Sequence, residues 1–307
     1  MNDPRKPIVI VGSITMDLVT RTPRIPAIGQ TLIGTGFETN QGGKGANQAV
    51  AAARLGYPAA MVAKVGDDAY GPELIASLER AGVDTAAMEQ VSGPSGLAPI
   101  YVADDGRNAI VVVPGANGKM GRATVSKHAG LIRTAGMVLC QLEIPMDTLS
   151  YTLDFCAQAG VPVMLDPAPA ADLPDAVWGK VAWFTPNETE AAHYVGEGTD
   201  VEGIAKRLLA KGLRGVVLKR GGEGAYVAVA DGKAEWVKPF RVDAIDTVAA
   251  GDCFNGAFAV ALLEGNDPWT AARFANAAAA ICVTRKGAAA SMPMRAEVDK
   301  FLTSRAV

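Results

Sequence analysis

The chain has 307 residues, 49% of them hydrophobic, enough to bury a large core as one big α/β domain or two smaller ones. A formal net charge of -3 gives no sign of a basic face for nucleic acid or a polybasic patch for a membrane. Four scattered cysteines without a C-x-x-C pair, and only two histidines, make a disulfide framework, a zinc site or a Ser-His-Asp site hard to build.

The segment Met1-Asn2-Asp3-Pro4-Arg5-Lys6-Pro7 lacks the apolar stretch and small-residue cleavage site of a signal peptide. No apolar run reaches membrane-spanning length, so a soluble, cytoplasmic protein is expected. Residues 8–11, Ile-Val-Ile-Val, form a β-branched run suited to a central strand covered on both faces. Gly12-Ser13-Ile14-Thr15-Met16-Asp17 follows it. The G-x-G-x-x-G spacing of a dinucleotide fingerprint is absent, and Asp17 lies just past the strand end, where open α/β sheets bind ligands.

Residues 18–41 carry Pro23, Pro26, Gly29, Gly34 and Gly36 among short apolar alternations and read as short strands. Gln41-Gly42-Gly43-Lys44-Gly45-Ala46-Asn47-Gln48 then opens an Ala-rich helix reaching about Leu55. Lys44 and Asn47 are three apart and share a face of its first turn, while Ala46, Ala49, Val50 and Ala53 can pack inward. A phosphate-loop reading fails because no Gly-Lys pair is followed by Ser or Thr.

A strand over 59–65 and a helix over 70–81 follow. Apolar runs 97–103 and 108–113 flank Asp104-Asp105-Gly106-Arg107, a hairpin signal. With 18–41 they can make a small separate sheet, which needs a partner on one face to be stable, either as a hinged cover or as a dimer contact.

From there strand and helix alternate, 137–142 with 147–159, 161–165, then 181–184 with 188–195, which implies a mostly parallel sheet. These strands end in Glu143, Asp166 and Asn187, polar residues that gather on one rim of such a sheet. Strands 215–219 and 225–230 are joined by the glycine-dense Arg220-Gly221-Gly222-Glu223-Gly224. Asp267-Pro268 starts a long Ala-rich helix, and 295–302 is a last surface helix.

Asp246-Thr247-Val248-Ala249-Ala250-Gly251-Asp252 leads into a helix whose Phe254, Ala257, Phe258, Ala261 and Leu262 share one face. Ala249, Ala250 and Gly251 carry almost no side chain, so first-turn amides can reach a bound anion. Asp252 at the rim of that pocket has two readings, a proton acceptor or a helix cap.

Three of these segments together, 42–49, 187–190 and 246–252, resemble the ribokinase-like carbohydrate kinases of the phosphofructokinase B type, in order and spacing, from Ile8 to about Phe301. The resemblance implies a three-layer α/β fold with a mostly parallel central sheet, in one domain over 1–307, with a discontinuous β lid formed by about 18–41 and 97–113 that also makes a homodimer contact. It implies ATP-dependent phosphorylation of D-ribose at its 5-hydroxyl. Asp252 is then the base, and Ala249, Ala250 and Gly251 form the anion hole. Thr15, Asp17, Gly43, Lys44, Asn47 and Glu143 hold the sugar. ATP lies along Asn187, Lys219, Gly221, Gly222, Gly224, Gly251 and Asn276. Asn187 and Glu190 match a motif that organises Mg2+ through waters, and Asp246, Val248, Cys282, Arg285, Gly287 and Ser291 match positions of an activating K+ site. The chain departs from the family's pattern at Thr15, where Asn is usual, so 2-deoxyribose, another pentose or a nucleoside stands as an alternative substrate. An inactive sugar-binding protein is a second alternative, disfavoured by the intact Gly251 and Asp252.

Overall fold

The computed structural model describes residues 4–305, so Met1, Asn2 and Asp3 of the N-terminal segment lie outside the described residues. Its strands in chain order are β1 (Ile8–Val11), β2 (Thr15–Thr22), β3 (Gly36–Gly42), β4 (Ala59–Gly66), β5 (Met88–Val91), β6 (Gly96–Ala103), β7 (Asn108–Ile110), β8 (Met137–Cys140), β9 (Val163–Leu165), β10 (Trp183–Phe184), β11 (Gly215–Lys219), β12 (Ala225–Val229) and β13 (Ala234–Val237). Nine of them form one sheet in the order β13-β12-β11-β10-β9-β8-β1-β4-β5, parallel from β5 to β11 and antiparallel beyond.

The four residues of β1 are all buried, as their unbroken apolar run requires. Successive side chains point to opposite faces: Ile8 and Ile10 join the core under helices Lys44–Arg54, Ala250–Leu263 and Pro268–Cys282, while Val9 and Val11 join a second core with Leu149 and Leu153 of helix Met146–Ala159. These are the three layers. From β1 the strand order runs one way through β4 and the other through β8, which puts a topological switch point between β1 and β8. The carboxyl ends there carry Gly12–Ile14 and Gln141–Glu143, and a ligand crevice is expected at that place.

The remaining strands form a separate sheet, β3-β2-β6-β7. The second arm of its hairpin is shorter than the apolar run 108–113 suggests. Val111 N–H donates to Pro99 O at 3.1 Å, but proline has no N–H to return, so the ladder lapses and resumes only at the Leu97–Val113 bridge. Phe37, Tyr101, Ile110, Val111, Val112 and Val113 stay exposed on this small sheet, an apolar surface without cover in the single chain. Among the described residues no helix is long and apolar enough to cross a membrane.

Candidate active site

The chain leaves β1 through Gly12–Ile14 and enters β2, and returns on β3, whose last residue Gly42 pairs with Thr15. Gly42 must be small, because a Cβ there would lie 2.2 Å from the Asp17 carboxylate. Gly43 turns the backbone at φ +89° into helix Lys44–Arg54, a conformation glycine adopts without strain. Asn117 clamps this corner, accepting Ile14 N–H at 3.0 Å and donating to Ile14 O at 2.8 Å. Glu143, delivered by β8, takes the Lys44 N–H at 3.0 Å and a short hydrogen bond from the Ser13 hydroxyl.

Lys44 and Asn47 do share the helix face turned to the crevice. Asn47 Nδ2 donates to Asp252 Oδ2 at 3.0 Å, and Gln48 Nε2 donates to Asp252 Oδ1 at 3.2 Å. Asp252 is therefore not a helix cap. The cap position of helix Ala250–Leu263 is Ala249, no side chain caps the helix, and the Asp252 carboxylate is met by side-chain amides instead of its own backbone. Nor is it at a rim, since the residue is only 4% exposed. Ala249 holds φ 59°, the single positive-φ residue other than glycine among the described residues. Such strain concentrates where geometry serves a site, and here it aims an uncapped helix mouth in which Ala250 N–H donates to Thr247 O at 3.3 Å while the N–H groups of Gly251 and Asp252 face the opening without an intrahelical partner.

That mouth opens on a cavity of about 320 Å³ lined among others by Lys44, Asp166, Glu190, Lys219, Gly251 and Asp252. Asn187, Gly221, Gly224, Ala249, Ala250 and Asn276 also line it, whereas Gly222 belongs to the same turn as Gly221 but does not. Lys219 Nζ pairs with Asp166 at 3.0 Å and sits 3.3 Å from where a Cβ on Gly251 would be. Asn187 and Glu190 form a reciprocal capping box: Glu190 Oε2 accepts Asn187 N–H at 2.7 Å and Asn187 Oδ1 accepts Glu190 N–H at 2.9 Å. Asn276 donates its amide to Val237 O and Lys238 O at 3.2 and 3.1 Å, so it ties the cavity wall together.

The six residues at 246–248 and 282–291 gather beside this cavity as a separate neighbourhood. Asp246 accepts Val248 N–H at 3.0 Å and Gly287 N–H at 2.9 Å, and Ser291 Oγ donates to Ala288 O at 2.7 Å and lies 3.0 Å from Cys282 Sγ. Arg285 turns its guanidinium to Glu297 at 2.5 Å.

Electrostatics sets the site apart. Burial, with Asp166 and Glu143 adding repulsion, pushes the Asp252 carboxyl up to about 6 against the pull of Lys44 and the Asn47 amide. Burial likewise brings Asp17 to about 6, with the Thr15 hydroxyl opposing and Glu143 and Asp252 assisting. Burial drives Glu190 upward as well. Lys44, although burial disfavours its charge, is raised overall by Asp252, Asp166, Glu143 and Glu190. A lysine fixed in the charged form beside two aspartates whose carboxyls burial raises to about 6 suits anion handling and proton acceptance.

Both aspartates hold their protons to higher pH in the folded chain than in an unfolded one. The native state then binds more protons between about pH 4 and 6, and its stability falls as the pH rises through that window. An Asp17→Asn variant removes its share of that cost. It is expected to melt above the parent at pH 7.5 and to lose the advantage near pH 4, with about 1.4 kcal/mol per pKa unit capping the gain at about 3 kcal/mol. Melting curves across a pH series check this; an advantage that persists unchanged at pH 4 contradicts it.

Gln48, Asp166, Ser13 and Asn117 join the site beyond the residues expected from the sequence. In the linear order Asp166 is visible as a polar strand end and Gln48 only as the neighbour of Asn47, while Asn117 carries no local signal.

Residues 5–295 match the pfkB family of carbohydrate kinases. The chain belongs to that family. It is 42% identical to ribokinase of Bacillus subtilis (strain 168) over 301 residues, covering 96% of this chain and 99% of that one. Deoxyribokinase of Salmonella typhi is 35% identical over 302 residues, with 96% and 98% covered. The structure of Arabidopsis thaliana ribokinase complexed with ribose and ATP superposes with a TM-score of 0.92 at 34% identity, covering 97% of this chain and 99% of that one. A sugar kinase on the ribokinase fold is thus what the chain encodes.

Proposed function

We propose that this chain transfers the terminal phosphoryl group of ATP to the 5-hydroxyl of D-ribose, giving D-ribose 5-phosphate and ADP. The observation that carries the reading is the place of Asp252, buried between Asn47 on the sugar side and the helix mouth and Lys219 on the nucleotide side. The sugar lies against Thr15, Asp17, Gly43, Lys44, Asn47 and Glu143. Asn47 Oδ1 is a buried acceptor without a partner, ready for a sugar hydroxyl. ATP occupies the cavity of Asn187, Lys219, Gly221, Gly224 and Asn276, with Gly222 adding flexibility to the turn.

As the bond from O5 to phosphorus forms and the bond from phosphorus to the leaving oxygen of ADP breaks, the O5 proton passes to Asp252. N–H groups of Ala249 to Asp252 and the charges of Lys44 and Lys219 hold the migrating phosphoryl group, because such transfer rests on positioning and charge more than on covalent chemistry.

Mg2+ supplies further charge on the phosphates. Glu190 fits it through water, since both carboxylate oxygens already accept from Asn187. The set at Asp246, Val248, Cys282, Arg285, Gly287 and Ser291 offers one carboxylate, a hydroxyl and carbonyl oxygens, a low-charge, hard-donor shell that fits K+. The small sheet serves as a lid over the sugar, and its uncovered apolar residues make the contact of a homodimer.

A second reading, 2-deoxyribose, is favoured by one observation: the Thr15 hydroxyl donates to Asp17 Oδ1 at 3.0 Å, so Thr15 has no donor left to offer the sugar. ADP release across a sugar panel, in K+ and in Na+, tests both. D-ribose is expected to give the highest kcat/KM, with K+ raising the rate over Na+. A preference for deoxyribose moves the substrate to the second reading, and no turnover with any sugar overturns both.

A further inference from the structure

Behind Asp252 lies a buried polar chain that the reaction as written does not use. Gln48 Nε2 has two hydrogens and spends them on two carboxylates, Asp252 Oδ1 at 3.2 Å and Asp166 Oδ2 at 3.0 Å. Its Oε1 accepts Gln141 Nε2 at 2.7 Å, which fixes the amide with its nitrogen toward the acids. Asp166 turns its other oxygen to Lys219 Nζ at 3.0 Å. Gln48, Gln141, Asp166 and Asp252 are all buried, and Lys219 reaches the mouth of the phosphoryl pocket beside Gly251. We propose that Gln48 and Asp166 are positioning residues that tie the orientation and basicity of the Asp252 carboxylate to the Lys219 ammonium on the nucleotide side.

Two carboxylates held through one amide in a buried site repel each other; Lys219, in direct contact, is the main offset to the second, with Lys44 bearing on it from further off. When a nucleotide phosphate draws on Lys219, the charge of Asp166 is less compensated and bears more strongly on Asp252 through the shared amide. Asp252 thereby becomes the stronger base when the phosphoryl donor is present. Lys44 from the helix, Glu143 from the end of β8 and Asp17 from β2 also face this carboxylate, and each stays in place in the variants below.

This inference rests on Asp252 as the base, and the test separates the two. Gln48→Met takes an N–H from the Asp252 anion, so the acid limb of the kcat profile is expected to move up by on the order of 0.5–1 pH unit. Asp166→Asn, nearly isosteric, removes the neighbouring negative charge, so the limb is expected to move down by a similar amount. In both variants kcat falls roughly 10- to 100-fold while KM for sugar and ATP changes much less, as misplacement of a reacting group requires. Limbs that stay put or move together overturn the relay, whatever the loss of rate, because a merely structural defect lowers the amount of competent enzyme without splitting the two profiles. Asp252→Asn runs beside them: full turnover there overturns the base itself, and a dead Asp252→Asn with unsplit limbs overturns the relay alone. Circular dichroism of each variant shows that the chain is folded where the profiles are read.

Discussion

Asp252→Asn is expected to lower turnover by about 10²- to 10⁴-fold, the range a positioned general base contributes, while sugar and ATP affinities change only a few-fold. The structure explains why the variant keeps its fold. Asp252 now accepts from both Asn47 and Gln48, so an amide in its place faces two donors with one acceptor. Gln48 cannot reverse, being pinned by Gln141 and Asp166. Asn47 can, because its Oδ1 has no partner and a flipped amide accepts from the new one. The flip turns Asn47 Nδ2 toward the sugar in place of Oδ1, and a hydroxyl that donated there can accept instead, so binding changes only a few-fold while the proton acceptor is lost. Steady-state rates set beside calorimetric sugar binding check this, and a variant that turns over at the parent rate removes Asp252 from the chemistry.

Gly43→Ala is expected to cost on the order of 3 kcal/mol of stability and to raise KM for the sugar more than it lowers kcat. The residue holds φ +89°, and a Cβ there would meet Ile14 Cα at 2.7 Å and Thr15 N at 2.9 Å. Both neighbours are backbone atoms, so no rotamer relieves the contact. Ile14 is moreover held by Asn117 on its N–H and its carbonyl. Either β2 or the start of helix Lys44–Arg54 must shift, and with it the Lys44 N–H contact to Glu143 and the Asn47 contact to Asp252. Denaturant unfolding and sugar KM measure the two effects; an unchanged KM in a fully stable variant places the glycine outside the site.

Where the sequence pattern is strong, the fold follows it. The β-branched run of β1, the alternation after residue 137 and the Asp267-Pro268 helix start are local signals, and each yields the expected element. The deviations have local causes too, as Pro99 shows by cutting the ladder to β7. The rim residues Glu143, Asp166 and Asn187 were legible because parallel strands deliver their carboxyl ends to one edge.

What the linear order could not decide is the part that depends on distant partners. Asp252 reads equally as a cap or an acceptor until Asn47 and Gln48, more than two hundred residues earlier, are seen to reach it. Gln48 itself looks like one more residue of an Ala-rich helix, and its importance lies wholly in contacts to residues 141, 166 and 252. Asn117 likewise gains meaning only from its clamp on Ile14, 103 positions away. Side-chain amides can serve either role in a hydrogen bond, so their use is set by tertiary neighbours and not by local pattern.

The most direct measurement of the central claim is a crystal structure with D-ribose, ADP, Mg2+ and a planar fluoride mimic of the migrating phosphoryl group. The sugar O5 is expected within about 2.6–3.2 Å of an Asp252 carboxylate oxygen, with the mimic accepting from N–H groups of residues 249 to 252. A sugar bound with O5 turned away from Asp252, or a mimic seated apart from that helix mouth, contradicts it.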